Sequence, residues 1–239
     1  MGMRISRRTL LRAGASTGLL AVLAACGDTG VHSQAADKNG TTGDQSSPSG
    51  VGKLPAPAPD VTRTKFAMVG DSITKASSTV LTKALGDQGF TDIDIEAEVN
   101  RRIAVGDGKA EPLSGIKTLF TMISDGVDPD VWGIAMGTND VGKYKNADDY
   151  ASLIDQMLSM PDAKVPIIWV DVYNPNQLAG TKLFNSVLRE RAAARANTTV
   201  LSWFDLASDP KEKILRTDHI HPNEKGTLVF ADLVSAALA

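Results

Sequence analysis

From residue 65 onward, short runs rich in β-branched and apolar residues alternate with stretches whose apolar positions recur every three or four residues. The runs are Lys65 to Val69, Asp92 to Val99, Val131 to Met136, Val165 to Val172 and Thr199 to Phe204. Phe184, Val187, Leu188 and Ala192 repeat at helical spacing, as do Phe230, Leu233, Val234, Ala237 and Leu238, and both sets read as core stripes. Strands and helices in alternation predict a parallel sheet with helices on both faces, that is, a three-layer α/β/α sandwich built on five doubly wound strands. In such a sheet the ligand crevice lies beyond the carboxyl ends of the strands, where the strand order reverses. Residues just after each strand are therefore expected to meet in space.

Before residue 65 the pattern breaks. From Gly27 to Thr64 the chain is rich in Gly, Ser, Thr, Pro, Asp, Asn and Ala and has no Ile, Phe, Tyr, Trp or Met. Such a stretch cannot bury enough surface to offset its conformational entropy, so residues 26–64 read as a flexible tether, stiffened at its far end by Pro55, Pro57 and Pro59. Residues 1–25 read as an address. Ser6-Arg7-Arg8-Thr9-Leu10-Leu11-Arg12 resembles the twin-arginine export signal. The apolar run from Ala13 to Ala25 that follows would span ~20 Å as a helix, too short for a hydrocarbon core of ~30 Å. Leu23-Ala24-Ala25-Cys26 resembles the lipobox of bacterial lipoproteins. That likeness implies cleavage before Cys26, lipidation of its thiol, and a protein held to the extracytoplasmic face of the membrane by a lipid anchor alone. A plain secretory signal with an incidental cysteine is the alternative.

Composition narrows the remaining choices. With 239 residues, 42% apolar and 22% charged, the chain can bury one substantial core, expected over residues 65–239. A formal net charge of -3 removes the basic surface that nucleic acid needs. The single cysteine excludes an internal disulfide and a cysteine metal cluster. Neither a P-loop nor a glycine-rich dinucleotide fingerprint is present, so no cofactor is expected.

Three polar blocks follow expected strands: Gly70-Asp71-Ser72-Ile73 after the first, Gly137-Thr138-Asn139-Asp140 after the third, and Asp218-His219-Ile220-His221-Pro222 beyond the fifth. In order and content they resemble the SGNH or GDSL hydrolases, whose blocks are Gly-Asp-Ser, Gly-x-Asn-Asp and Asp-x-x-His. The likeness runs from Lys65 to the end of the chain. It implies a flavodoxin-like sheet and serine-dependent ester hydrolysis. The family's second block offers a glycine N–H after strand two; here the sequence reads Val99-Asn100-Arg101-Arg102-Ile103, with Asn100 at the glycine's place. No Gly-x-Ser-x-Gly elbow surrounds Ser72, which argues against the α/β-hydrolase branch.

The chemistry accounts for these residue types. A serine hydroxyl is a weak nucleophile at neutral pH, so Ser72 needs an imidazole within hydrogen-bond reach. Of the three histidines, His32 lies in the tether, which leaves His219 and His221. A carboxylate three residues before an imidazole can bend back to its Nδ1–H, so Asp218 suits His221 better than His219. Asp218 would orient His221 and stabilise its charged form, while Nε2 takes the Ser72 proton and returns it to the leaving alcohol. The oxyanion formed on attack needs fixed donors, for which the Asn139 amide, the Ser72 N–H at a helix start near Lys75 and the Asn100 N–H are the candidates.

Each residue also has a plainer reading. Ser72 could cap a helix, and Asn139 could close an Asx turn. Asp71 and Asp140 read as loop braces, His219 as an exposed loop residue, and Lys143 to Asp149 as a solvated helix start. Asp218, His219 and His221 lack a further histidine or cysteine to complete a metal site, so no metal is expected. Arg101 and Arg102 could contact substrate or form surface ion pairs. Trp132, Trp169 and Trp203 read as core, and Tyr144 and Tyr173 as lining an entrance. The function expected is hydrolysis of short acyl esters, such as acetyl groups on small molecules or envelope carbohydrate. Acyl transfer to a sugar hydroxyl and a non-catalytic carbohydrate-binding lipoprotein are its rivals, and nothing in the sequence speaks to oligomeric state.

Overall fold

The computed structural model describes residues 52–56 and 62–239, so the expected signal, Cys26, His32 and most of the expected tether lie outside the described residues. The chain order is β1 (Lys65–Gly70), α1 (Ser72–Asp87), β2 (Asp92–Ala97), α2 (Gly115–Ser124), β3 (Val131–Ala135), α3 (Ala147–Leu158) and β4 (Ile167–Val170). A 3₁₀ turn at Pro175–Gln177 then leads to α4 (Leu178–Ala194), β5 (Thr198–Leu201), α5 (Trp203–Ser208) and α6 (Glu224–Ala236). All neighbouring strands are parallel, in the order β2-β1-β3-β4-β5. The order reverses between β1 and β3, which places the expected crevice at their carboxyl ends.

Side chains alternate across the sheet and so build two cores. Phe66, Met68, Ile168 and Val170 pack toward Leu81, Leu85, Trp203, Phe230 and Val234 of α1, α5 and α6. Ala67, Val69, Trp132, Ile134 and Trp169 face the other way, toward Leu119, Leu153, Ile154, Phe184 and Leu188 of α2, α3 and α4. All three tryptophans are buried, as core residues should be.

Several boundaries differ from the sequence reading, each because a polar side chain takes the backbone partner. Helix α1 begins at Ser72, three residues earlier than Lys75, because Asp71 accepts the Ile73 N–H and caps it. The last expected strand stops at Leu201, and Trp203 and Phe204 enter α5 instead of continuing it. Ser202 accepts the Asp205 N–H to cap that helix, and the buried Asp171 carboxylate accepts the Phe204 N–H at 2.7 Å. Strand β4 ends at Val170, and the backbone of Val172 pairs with a side chain: its N–H donates to Asn185 Oδ1, and Asn185 Nδ2 donates to its carbonyl.

The end of the tether is also more structured than its composition suggests. Leu54, 3% exposed, belongs to the α1/α6 core, and its N–H donates to Ala237 O at 3.1 Å. A Cβ on Gly52 would lie 2.7 Å from Val200 O, so the strap runs against edge strand β5 and shields it. The strap docks at the C-terminal end of α6, while the His221 block precedes the N-terminal end of the same helix. Leu54→Ala is expected to destabilise the domain by about 2–5 kcal/mol, the range for a buried leucine truncated to alanine. Denaturant unfolding checks this, and an unchanged midpoint would mean that the strap is not docked in solution.

Candidate active site

The three blocks are brought together by strand pairing. Gly70 stands opposite Ala97 of β2 on one side and Ala135 of β3 on the other. The pairing continues past the sheet: Asp71 N–H donates to Ala135 O at 3.2 Å, and Glu98 N–H to Gly70 O at 3.3 Å. Ser72, Asn100 and Asn139 thus leave adjacent strand ends, two to four residues beyond paired positions.

Ser72 is the first residue of α1. Its N–H is one of the unpaired donors of a helix N-terminus, where the aligned peptide dipoles favour negative charge. With Asp71 as the cap, the Ser72 hydroxyl is free for another partner and lies 3.0 Å from His221 Nε2. Gly70 permits this turn, because a Cβ there would collide with the Thr74 side chain.

His221 sits in a loop that fixes its orientation. Arg216 N–H donates to His221 O at 2.8 Å, Arg216 Nε to Pro222 O, and Asn223 Nδ2 to the carbonyls of Lys213 and Leu215. Asp218 bends back as its spacing suggests: Oδ1 accepts the N–H groups of Ile220 and His221, and Oδ2 lies 2.9 Å from His221 Nδ1. Desolvation pushes the Asp218 carboxyl up, but the backbone N–H groups of His221 and Ile220 and the imidazole outweigh it and bring it down to about 2. Asp218 is therefore an anion at neutral pH, a setting that favours the Nδ1–H tautomer and leaves Nε2 to accept from Ser72. His219 has a left-handed backbone, with φ 58°, and is exposed.

Asn139 lies in a turn closed by Asp140 N–H and Val141 N–H on Gly137 O. Gly137 has φ 126°, and a Cβ there would lie 2.5 Å from the Phe184 ring, so a side chain is excluded on both grounds. Asn139 Nδ2 donates to Arg101 O at 3.0 Å, which uses one of its two hydrogens and orients the other. Asn100 adopts φ 61°, a conformation that asparagine tolerates better than most residues, so the second block turns without its glycine and keeps a backbone N–H at an exposed tip.

Two buried acids brace these loops. Asp140 accepts the Ile103 N–H at 3.0 Å and Arg102 Nε at 3.3 Å, tying the second block to the third. Asp71, beneath Ser72, caps α1. Burial pushes both carboxyls up to about 6: for Asp71 against the Ile73 N–H, Thr138, His221 and Arg101, and for Asp140 against the Ile103 N–H and Arg102.

The two arginines differ: Arg101 fits neither alternative considered for it, and Arg102 forms an ion pair, though with a buried partner. Arg101 is 5% exposed and donates to backbone carbonyls, so it is neither a substrate contact nor a surface ion pair. Arg102 pairs with the fully buried Asp140 side chain and reaches the Tyr144 hydroxyl at 3.3 Å. Burial of Arg101 left no sign in the sequence, since it depends on where three distant carbonyls converge. Asn223 could have been found, because it directly precedes the helical stripe of α6 and caps it. Tyr144 and Tyr173 are both half-buried; Tyr144 packs edge-on against Tyr150, and Tyr173 against Phe204.

The arrangement can pass a proton from hydroxyl to imidazole with a carboxylate behind it, and the candidate oxyanion donors at Ser72, Asn100 and Asn139 follow adjacent strand ends. Comparison with known proteins agrees with this chemistry. Residues 68–228 match the model of the GDSL-like Lipase/Acylhydrolase family. A search of curated proteins finds no match. Among solved structures, the C-terminal catalytic domain of Streptococcus pneumoniae peptidoglycan O-acetyltransferase A, carrying a methylsulfonyl adduct, superposes with TM-score 0.58 at 20% identity, over 74% of this chain and 94% of that one. The psychrotrophic esterase of Pseudoalteromonas sp. gives 0.58 at 14%, over 73% and 96%. The Clostridium thermocellum family 3 carbohydrate esterase gives 0.53 at 20%, over 73% and 94%. At these identities the likeness is one of fold.

The geometry separates the two histidines. His221→Ala is expected to slow labelling of Ser72 by a fluorophosphonate by about 10²- to 10⁴-fold, the usual contribution of a positioned base. His219→Asn, which keeps a side chain suited to positive φ, should label at the wild-type rate. The opposite ranking, read by mass spectrometry of the labelled peptide, would assign the base to His219.

Proposed function

Since the chain belongs to the GDSL-like lipase/acylhydrolase family and is an SGNH-type hydrolase acting on esters, we propose that it removes short acyl groups, acetyl above all, through an acyl-Ser72 intermediate. The observation that carries this reading is the hydrogen-bonded line from the Ser72 hydroxyl to His221 Nε2 at 3.0 Å, and from His221 Nδ1 to Asp218 at 2.9 Å. Ser72 Oγ attacks the ester carbonyl as His221 takes its proton, and Asp218 stabilises the imidazolium. The carbonyl oxygen becomes an oxyanion held by Ser72 N–H, Asn139 Nδ2 and Asn100 N–H. Collapse breaks the bond to the alkoxy oxygen, which leaves as the alcohol with the His221 proton. Water, deprotonated by His221, then attacks the acyl-serine, and the carboxylic acid departs with Ser72 restored.

The substrate is a carbohydrate ester of the cell envelope. The side chains of His221 and Asp218 are 36% and 47% exposed, an open setting that admits a bulky alcohol. The fold likeness to a peptidoglycan O-acetyltransferase domain and a carbohydrate esterase supports the same class. The twin-arginine and lipobox patterns support export and anchoring through Cys26. Acyl transfer to a sugar hydroxyl is a second reading, favoured by the same open site, in which a sugar takes the place of water. The left-handed turn at Asn100, φ 61°, supports the esterase reading over the non-catalytic one, because asparagine can adopt the backbone conformation that a glycine would otherwise supply.

Ser72→Ala is expected to abolish turnover of p-nitrophenyl acetate, and equal rates for variant and wild type would remove the esterase reading. Product analysis with an added sugar acceptor separates acetate from acetylated sugar. Cys26→Ser, expressed as the full chain, is expected to lose incorporation of labelled fatty acid and to leave the membrane fraction. Persistent labelling would exclude Cys26 as the anchor.

A further inference from the structure

We propose that Arg101 is the positioning residue that holds the three oxyanion donors in register; the proposal rests on the esterase reading above. Three observations carry it. First, Arg101, 5% exposed as a residue, makes no side-chain hydrogen bond to a carboxylate among the described residues and spends its donors on backbone carbonyls. Nη1 donates to Gly70 O at 3.1 Å and to Glu96 O, and Nε donates to Leu113 O at 3.1 Å. Burying a cation in this way is unfavourable, and desolvation lowers its pKa in spite of Glu96, Glu98 and Asp71 nearby. A residue kept at such a cost is expected to have a use.

Second, the carbonyls it gathers border the donors. Gly70 ends β1, two residues before Ser72, and Glu96 lies near the end of β2, just before the turn that carries Asn100. Leu113 precedes Ser114, the cap of α2. Third, the Arg101 backbone completes the arrangement. Its N–H donates to Glu98 O at 3.3 Å, closing the turn whose tip is Asn100, and its carbonyl accepts from Asn139 Nδ2 at 3.0 Å. One residue therefore ties the strand end before Ser72, the Asn100 turn and the Asn139 amide together. With asparagine at the tip instead of glycine, the turn is held at φ 61° by these bonds. The planar guanidinium can serve divergent acceptors at fixed angles, which the single ammonium of lysine cannot.

The test compares Arg101→Lys with wild type on p-nitrophenyl acetate, alongside thermal unfolding and circular dichroism. The expected result is a folded protein whose kcat falls about ten- to hundredfold while KM stays within about twofold, the mark of donors misplaced in the transition state. In an Asn139→Ala background the same substitution should lower kcat by less than about threefold, because Arg101 acts partly through that amide. A folded Arg101→Lys with wild-type kcat would overturn the proposal, as would full additivity with Asn139→Ala. If Arg101→Lys melts below the assay temperature, Arg101→Gln replaces it, and loss of fold in both would assign Arg101 a purely structural role. Ser72-dependent turnover by the wild type is the control: without it, the esterase reading fails rather than this one.

Discussion

Strand β1 is paired on both sides, with β2 and with β3, and the site rests on that constraint. Backbone hydrogen bonds fix the register of Gly70 against Ala97 and Ala135, so the segments that follow begin from defined points. A one-residue slip in either pairing would turn every side chain of that strand to the opposite core, and alternating Phe66, Ala67, Met68 and Val69 fill both cores. The apolar packing that stabilises the sheet thereby also sets where Ser72, Asn100 and Asn139 emerge.

Beyond the last ladder bonds, polar side chains take over the work of strand partners. Asp140 holds Ile103, Asp171 holds Phe204, Asn185 pairs with both backbone groups of Val172, and Arg101 collects three carbonyls. Each interaction satisfies backbone that would otherwise be buried without a partner. The carboxylates are desolvated in return, and burial pushes Asp71, Asp140 and Asp171 up to about 6. Loops made this way are rigid where a preorganised donor is needed and need no regular secondary structure.

The His221 loop uses the same principle at the surface. Asp218, exposed but bonded to two backbone N–H groups and to the imidazole, goes the other way, to about 2, and remains an anion. The contrast between Asp218 and the buried aspartates is one of environment alone: donors around a solvated carboxylate favour its charge, and burial opposes it. In the proposed mechanism this gives His221 a permanent counter-charge while leaving its outer face open to a large alcohol.

Periodicity in the sequence determined the alternation of strands and helices, because buried faces impose spacings of two and of three to four residues. The three blocks likewise pointed to a serine, an imidazole and a carboxylate that the fold brings into one hydrogen-bonded line, since the chemistry restricts the residue types and Asp218 lies at a spacing that its own turn enforces. Strand ends at Val170 and Leu201 and the docking of Leu54 were decided by tertiary contacts, through Asn185, Asp171 and the end of α6, which no local pattern encodes. Arg101 shows the difference most clearly. In the sequence it is one of two adjacent arginines beside an expected cleft, and whether its charge meets solvent, substrate or backbone depends on carbonyls 5, 12 and 31 residues away that only the folded chain brings together.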